Sequence, residues 1–401
     1  MREIARKTIV LAFSNFVTRG LGMLFFVLLA KALTVSEYSL FRYLITLASM
    51  FGLAFYGIPT ALAKYLSQPD TDNRSRSEYL GATIALLGII YAILILTVLI
   101  FNDNKFYLII FIFAYLIDLF YLGFSRGLLD YLKLNAYKLI ANSLQFLILG
   151  GLFLINGKID FAFGVIFYAF SGVISLLVFE IIRWQMKASF SNFKNRFYGV
   201  VKFSVPVTFG GIGWTVLLGI TSIYLEKYID IDQVGYYSVG VTLMQTFSFL
   251  PDAIFTLLMP KISGLNDKTR IIKPLRLAFY SCLLVTILIF LPLYFYRSLI
   301  ITFVFSEKYL AASIIILPLA IGQLFIILNQ IYGTALQGLG NPKVPSIIIA
   351  IAAGINVILG YIFVRKFGLI GAAYSFAIAG LASYILMAAY WFRFVRRGGL
   401  T

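Results

Sequence analysis

The sequence predicts an all-α membrane protein in which about twelve transmembrane helices form two six-helix lobes around a central cavity. Three observations predict this class. The 401 residues are 61% hydrophobic and 12% charged, whereas a soluble globular protein carries about 25% charged residues. The apolar residues fall into runs near the ~20 residues that a helix needs to cross the hydrocarbon. The lysines and arginines are concentrated in alternate connections between these runs.

The apolar runs define the predicted transmembrane helices. In chain order they cover residues 9–31, 39–62, 79–101, 106–128, 136–156, 161–183, 203–225, 236–259, 275–296, 309–331, 345–364 and 369–391. The first run follows the cations Arg2, Arg6 and Lys7, as in a signal peptide. Its ~22 residues exceed the usual 7–15-residue signal core, so we expect an uncleaved first transmembrane helix.

The cations indicate how the chain crosses the membrane. The connections on the side of both termini contain 23 lysines and arginines, and those on the other side contain 8. Cytoplasmic connections are enriched in these residues. We therefore expect a multi-pass protein of the cytoplasmic membrane with both termini in the cytoplasm.

A basic segment, Arg183–Lys202, divides the chain near its middle. It contains five cations and no acid, interleaved with aromatic residues. The pattern fits a segment that lies on an anionic membrane face, and it fits equally a solvated loop that only fixes topology. Either way we expect an N-terminal lobe of residues 1–183, a cytoplasmic basic linker of residues 184–202 and a C-terminal lobe of residues 203–401.

Short motifs recur in the same order in the two halves. Residues 37–39 open the second apolar run as residues 234–238 open the eighth. Asn142 and Asn356 lie at comparable places in the fifth and eleventh runs. Unless the likeness is a chance property of apolar sequence, the halves are a parallel repeat about an axis along the membrane normal.

Composition excludes several kinds of chemistry. Histidine is absent and Cys282 is the single cysteine, which excludes an internal disulfide, a zinc cluster and any triad built on imidazole. No phosphate-binding loop of the Gly-x-x-x-x-Gly-Lys-Ser/Thr type is present. We expect no cofactor or metal, no enzymatic activity, and no nucleic-acid partner, because the cations lie in short connections.

Two ionisable residues lie deep in the predicted helices, where each costs about 2.5–3.5 kcal/mol on insertion. Counted from the first residue of its run at 1.5 Å per residue, Arg19 is ~15 Å deep from one side of the membrane and Asp118 ~18 Å deep from the other. Arg19 could bind a phosphate in a water-filled cavity, or it could form a structural ion pair with Asp118. Asp118 is a candidate for coupling to Na⁺ or H⁺.

Further polar residues complete the candidate substrate-binding set. Arg42 lies one turn inside the second run, from where it can also reach the surface. Asn15, Asn142 and Gln245 could bind sugar hydroxyls, although helix packing in membranes uses the same residue types. Pro206 and the glycines that follow it in the seventh run predict a kink or a close helix contact.

Several motifs resemble the polysaccharide flippases of the multidrug/oligosaccharidyl-lipid/polysaccharide exporter superfamily. The sequence Ala-Lys-Ala-Leu-Thr-Val-Ser-Glu-Tyr-Ser at residues 30–39 is similar to the family pattern Ala-Arg-x-Leu-Gly-Pro-x-Glu-Tyr-Gly. Further similar segments are residues 57–65, 202–206, 234–238 and 259–263. Their order and spacing extend the resemblance over nearly the whole chain.

The resemblance implies a two-lobed transporter that moves a polyprenyl-linked oligosaccharide between leaflets by alternating access. It implies a cationic cavity, and thus phosphate contacts for Arg19 and Arg42. The implied partners are the lipid-linked oligosaccharide, membrane lipids and glycan-assembly enzymes. An acid common in the family's seventh span is replaced here by Thr221-Ser222. A multidrug or cation antiporter of the same superfamily is the alternative.

Overall fold

The structure, a computed structural model, is almost entirely helical in the residues that it describes. These are residues 2–68, 72–101, 105–128, 131–183, 188–248, 251, 254–255, 258, 262, 271–339 and 341–397. No strand occurs in these ranges, and the predicted all-α fold class is confirmed. The chain forms two compact units, one of residues 1–37 and 44–215 and one of residues 38–43 and 216–401.

Thirteen α-helices are described, and every predicted apolar run falls at least partly on one of them. They are α1 (Arg2–Ala32), α2 (Val35–Phe51), α3 (Ile58–Ser67), α4 (Asn73–Phe101), α5 (Lys105–Gly127), α6 (Tyr131–Asn156), α7 (Phe161–Arg183), α8 (Phe193–Tyr228), α9 (Ile231–Phe247), α10 (Ile272–Phe295), α11 (Arg297–Val304), α12 (Ile316–Gly338) and α13 (Lys343–Arg396). The last part of the predicted run 236–259 lies largely outside the described residues.

Within these ranges, six helices are long and apolar enough to cross a membrane, and a seventh qualifies if the bent α8 counts as one span. One of the six is α13, whose 54 residues contain two of the predicted runs. Gly368 separates them with φ 57° and ψ −131°, a conformation that only glycine adopts readily. The chain turns sharply there, and Gly371 lies against the Phe363 carbonyl.

The second predicted run is broken into two helices. Helix α2 begins at a capping box, in which the Thr34 hydroxyl accepts from the Glu37 N–H at 3.2 Å and the Glu37 carboxylate accepts from the Thr34 N–H at 2.9 Å. It ends at Phe51, a 3₁₀ turn covers Gly52–Phe55, and α3 starts at Ile58. Pro59 lies in the first turn of α3, where its missing N–H costs no helix bond. The predicted run 39–62 is therefore divided between two helices.

Helix α8 is bent by 50° between Phe209 and Gly211. This agrees with the kink expected from Pro206 and the glycines that follow it. The division between the two compact units falls inside this helix, at Thr215 and Val216, whereas the predicted lobes are separated by residues 184–202. The difference arises because the first turns of α8 pack on α3 and α4.

Glycines permit backbone approach in the first unit. A Cβ at Gly123 of α5 would overlap the backbone of Pro59 in α3. A Cβ at Gly57 would overlap the Ser204 carbonyl of α8, and the Gly57 N–H donates to the Thr208 hydroxyl at 3.0 Å.

In the second unit a large buried cluster that includes Cys282, Leu336 and Trp391 joins α10, α12 and α13.

Candidate functional site

Arg19 lies on α1 with an exposed side chain, beside the buried Thr18. The Asn142 amide of α6 donates a hydrogen bond to the Thr18 carbonyl at 2.8 Å, and the Thr18 hydroxyl donates to the Ser14 carbonyl at 2.8 Å. Consecutive residues on a helix point about 100° apart. The bond that turns Thr18 towards α6 therefore fixes the rotation of α1 at the level of Arg19 and keeps that guanidinium on the exposed side.

Gly22, one turn further along α1, makes room for this contact. A Cβ at position 22 would lie 3.4 Å from the Asn142 side-chain nitrogen. A larger side chain would compete with the amide for the Thr18 carbonyl. The helix crossing therefore combines a small residue with a half-buried amide donor, which is the usual way in which transmembrane helices associate.

The second unit contains the matching contact. The Asn356 amide of α13 donates to the Leu217 carbonyl of α8 at 2.8 Å, and Asn356 is fully buried. In each half, the asparagine of the fifth span binds a carbonyl of the first. The two asparagines aligned by the predicted repeat thus form the same bond, and both contact backbone. For Asn142 this supports the helix-packing alternative left open above.

Asp118 lies on α5 and is exposed. Its carboxylate accepts a hydrogen bond from the Tyr137 hydroxyl of α6 at 2.9 Å. The Tyr137 ring is buried and stacks on Tyr121, with ring centroids 4.2 Å apart. Lys138 acts electrostatically on the same carboxylate. Asp118 is therefore held by one rigid neutral donor, Tyr137, with Lys138 as its cationic neighbour.

Two other candidate residues belong to the second unit. Arg42, on α2, is half-buried and lies one turn after Tyr38, whose buried ring contacts Tyr309 edge-on with centroids 5.4 Å apart. Gln245 of α9 is exposed. It lines a small cleft together with Gln323 of α12.

Gln323 donates to the Ser248 hydroxyl at 2.8 Å, in the same region as Gln245.

The structure thus places Arg19, Asn142 and Asp118 in the first unit, and Arg42 and Gln245 in the second. Asn15 is also in the first unit, but its side chain lies outside the described part of the chain. Gln145, another polar residue within a span, donates to the Ser171 hydroxyl at 2.7 Å and joins α6 to α7.

The basic segment has an acidic partner that sequence inspection missed. Arg196 donates from Nε to the Glu78 carboxylate of α4 at 2.9 Å, and its terminal nitrogens donate to the Tyr79 and Ser75 hydroxyls at 3.1 and 2.8 Å. The Ser191 hydroxyl donates to the other Glu78 oxygen at 3.1 Å. Glu78 is almost fully buried. The pair is separated by 118 positions, so spacing alone gives no sign of it.

Further contacts fix the start of α8 to α3 and α4. The Tyr65 hydroxyl of α3 donates to the Gly199 carbonyl at 3.1 Å, and the Tyr65 and Tyr79 rings are stacked 4.2 Å apart. The Ser189 N–H donates to the Ser77 carbonyl at 2.9 Å. At the start of α4, hydrogen bonds from Ser75 hold the pKa of the Asp72 carboxyl below its usual value. Residues 188–202 are therefore a folded part of the first unit.

The sequence model described as "Polysaccharide biosynthesis protein" matches residues 4–266, and that described as MatE matches residues 212–362. The putative O-antigen transporter of Shigella flexneri is 28% identical over 322 residues, which cover 66% of this chain and 73% of the relative. The probable low-salt glycan biosynthesis flippase Agl15 of Haloferax volcanii is 23% identical, covering 98% of this chain and 84% of the relative.

Two solved structures have the same fold. The lipid II flippase MurJ in an inward closed conformation aligns with a TM-score of 0.73 and 20% identity, over 95% of this chain and 87% of that one. An inward-facing multidrug transporter of the MATE family aligns with a TM-score of 0.71 and 13% identity, over 95% and 94%. These similarities confirm the resemblance drawn from the short motifs.

Proposed function

Because the chain belongs to the polysaccharide biosynthesis protein family, whose sequence model matches residues 4–266, we propose that it is a flippase for lipid-linked oligosaccharides. It moves a polyprenyl-phosphate-linked oligosaccharide across the cytoplasmic membrane by alternating access, for the synthesis of a surface polysaccharide or glycan. The observation that carries this proposal is the similarity, over most of the chain, to relatives named as an O-antigen transporter and a glycan flippase.

Arg19 is the residue to which we assign the lipid phosphate. Its guanidinium is exposed although it lies within a span, and a planar donor fork suits phosphate oxygens. Arg42 makes a second phosphate contact, and Asn15 and Gln245 contact sugar hydroxyls. Asn142 supports the site by holding the backbone next to Arg19. Asp118 couples transport to Na⁺ or H⁺.

Orientation and partners follow from the same proposal. The 23 cations on the side of the termini support cytoplasmic termini. The chain acts as a transporter and leaves the covalent structure of its substrate unchanged. Enzymes that assemble the glycan on one side, and those that use it on the other, are its partners.

The test is a flipping assay in proteoliposomes with a fluorescent polyprenyl-pyrophosphate oligosaccharide. We expect the wild type to flip it, Arg19→Ala to lose at least tenfold in rate, and Arg19→Lys to recover part of the loss. Arg126→Ala is the matched control, because it removes an exposed cation at the end of α5. Absence of flipping by a folded wild type contradicts the function, and unchanged flipping by Arg19→Ala contradicts only the site.

A multidrug or cation antiporter is the second candidate function. It is supported by the MatE match over residues 212–362 and by the exposed carboxylate of Asp118, since an acid in a span attracts a cationic substrate. A wild type that exports a cationic dye and does not flip the oligosaccharide would establish this alternative. Asp118→Asn should then abolish export.

A further inference from the structure

One face of the first half of α8 has an ordered set of exposed side chains. Lys194, Tyr198 and Lys202 are all exposed and follow each other at intervals of four residues, so they lie along one side of the helix. The Lys202 ammonium lies 5.9 Å from the centre of the Tyr198 ring. We call these three residues the lysine–tyrosine face.

The opposite side of the same helix is fixed to the first unit. Arg196 is bound by Glu78, and Val200 is fully buried. The Gly199 carbonyl accepts from Tyr65. Because these contacts fix the opposite side of the helix to the first unit, the lysine–tyrosine face keeps one orientation without needing a ligand to order it.

Arg196, on the other side of the helix, is paired with Glu78. Among the described residues, neither Lys194 nor Lys202 forms an ion pair, and the segment itself contains no acid. The result is a preformed positive surface that suits an anionic ligand.

Apolar residues extend the face in one direction. Val205 and Phe209 are 48% and 70% exposed, and they lie three and seven residues beyond Lys202, on the same side of the helix. The side chains therefore change from cationic to apolar within about 10 Å along the axis. A soluble anion would use only the cations, whereas an amphiphile with a charged head and an acyl tail fits the whole stripe.

We propose that the lysine–tyrosine face binds the phosphate headgroup of an anionic phospholipid, whose acyl chains lie along Val205 and Phe209. Phe190 and Phe193 are exposed before the helix and at its start, and exposed aromatic rings of this kind are favoured at a membrane interface. The partner is a bilayer lipid. This separates the surface from Arg19, which we assign to the transported substrate.

The test measures lipid binding to the full-length, delipidated protein by native mass spectrometry. The probes are phosphatidylglycerol and phosphatidylcholine with the same acyl chains. The variant is Lys194→Gln/Lys202→Gln, and the control is Lys158→Gln/Lys366→Gln, which removes two exposed lysines elsewhere. An interfacial cation favours anionic lipid by ~1 kcal/mol, so we expect about a fivefold loss of phosphatidylglycerol affinity for each of Lys194 and Lys202.

Phosphatidylcholine binding should be equal in all three proteins, and the control should bind phosphatidylglycerol like the wild type. Unchanged phosphatidylglycerol binding in the double variant, or an equal loss in the control, would overturn the proposal. A polyprenyl pyrophosphate added as a third probe distinguishes the two phosphate sources. If only its binding falls in the variant, the face contacts the substrate and the proposal is wrong.

Phe209→Gln tests the acyl-chain part of the stripe. We expect it to lower phosphatidylglycerol affinity for long acyl chains several-fold and to leave a dihexanoyl lipid unaffected. Equal effects on both lipids would contradict the placement of the acyl chains. None of these measurements depends on transport, so they test the lipid-binding proposal independently of the flippase function.

Discussion

The side chain of Asn142 donates a hydrogen bond to the backbone carbonyl of Thr18, one residue before Arg19. The bond joins α6 to α1 within the first unit, at the level of the proposed phosphate contact. A donor buried between two transmembrane helices contributes about 0.6–2 kcal/mol. It also fixes the direction in which Arg19 points, which affects transport through geometry.

Replacing Asn142 should therefore affect substrate affinity more than folding. We expect Asn142→Leu to destabilise the protein by about 1 kcal/mol and to raise the KM for the lipid-linked substrate several-fold, with a smaller change in kcat. Asn356→Leu breaks the matching bond in the second unit and is the control for the loss of a buried amide. Equal changes in KM for both variants would argue against a specific effect on Arg19.

Tyr137→Phe separates the hydroxyl that binds Asp118 from the ring that packs on Tyr121. The stacked ring remains, so we expect a loss of only about 1 kcal/mol in stability. Transport should still respond to an imposed Na⁺ or H⁺ gradient, with a changed dependence on ion concentration. Asp118→Asn should remove the response to the gradient. A full response in Asp118→Asn would show that coupling does not use this carboxylate.

Glu78→Gln should destabilise the first unit. It removes the charge that pairs with Arg196 and leaves that cation against neutral partners, which costs about 1–3 kcal/mol for a partly buried pair. Arg74→Gln is the matched control, because Arg74 also reaches Glu78, at 3.5 Å, but its side chain is 78% exposed. Such an exposed pair contributes about 0–1 kcal/mol. Thermal unfolding in detergent measures both, and similar losses in the two variants would contradict the role given to Arg196.

Two glycines in neighbouring helices should respond in opposite ways to alanine. Gly123→Ala places a methyl group against the Pro59 backbone, and we expect a loss of about 1–3 kcal/mol from overpacking. Gly88 of α4 has nothing within 4 Å of its Cβ position. Gly88→Ala should therefore be neutral or stabilise the helix by up to ~1 kcal/mol. Comparable changes in stability in both variants would show that the close approach to the Pro59 backbone does not determine the effect.

The sequence predicts the features that depend on local composition. The apolar runs, the kink in α8 and the paired Asn142 and Asn356 follow from residues that are neighbours in the chain or recur at matching places. The partners of Asp118 and Arg196 cannot be predicted from such local patterns. Tyr137 and Glu78 are ordinary residues in their own helices, and only the packing of α5 on α6 and of α8 on α4 gives them their roles.

The break between α2 and α3 also depends on residues that are remote in the sequence. Residues 39–62 are apolar enough to form one span, and Pro59 near their end is compatible with a continuous transmembrane helix. What separates α2 from α3 is the packing of Gly57 against Ser204 and the bond from its N–H to Thr208. These residues are about 150 positions apart in the sequence, so the hydropathy pattern cannot predict the contact.

The turn at Gly368 has a consequence for how the protein enters the membrane. Without this turn, the 54 residues of α13 would form one continuous helix about 80 Å long. Such a helix is far longer than the ~30 Å hydrocarbon layer. A single residue with a positive φ thus sets whether this stretch crosses once or twice. Gly368 has no side chain and can therefore adopt this turn. The turn determines whether the number of membrane crossings is odd or even, and so on which side of the bilayer Arg393, Arg396 and Arg397 lie.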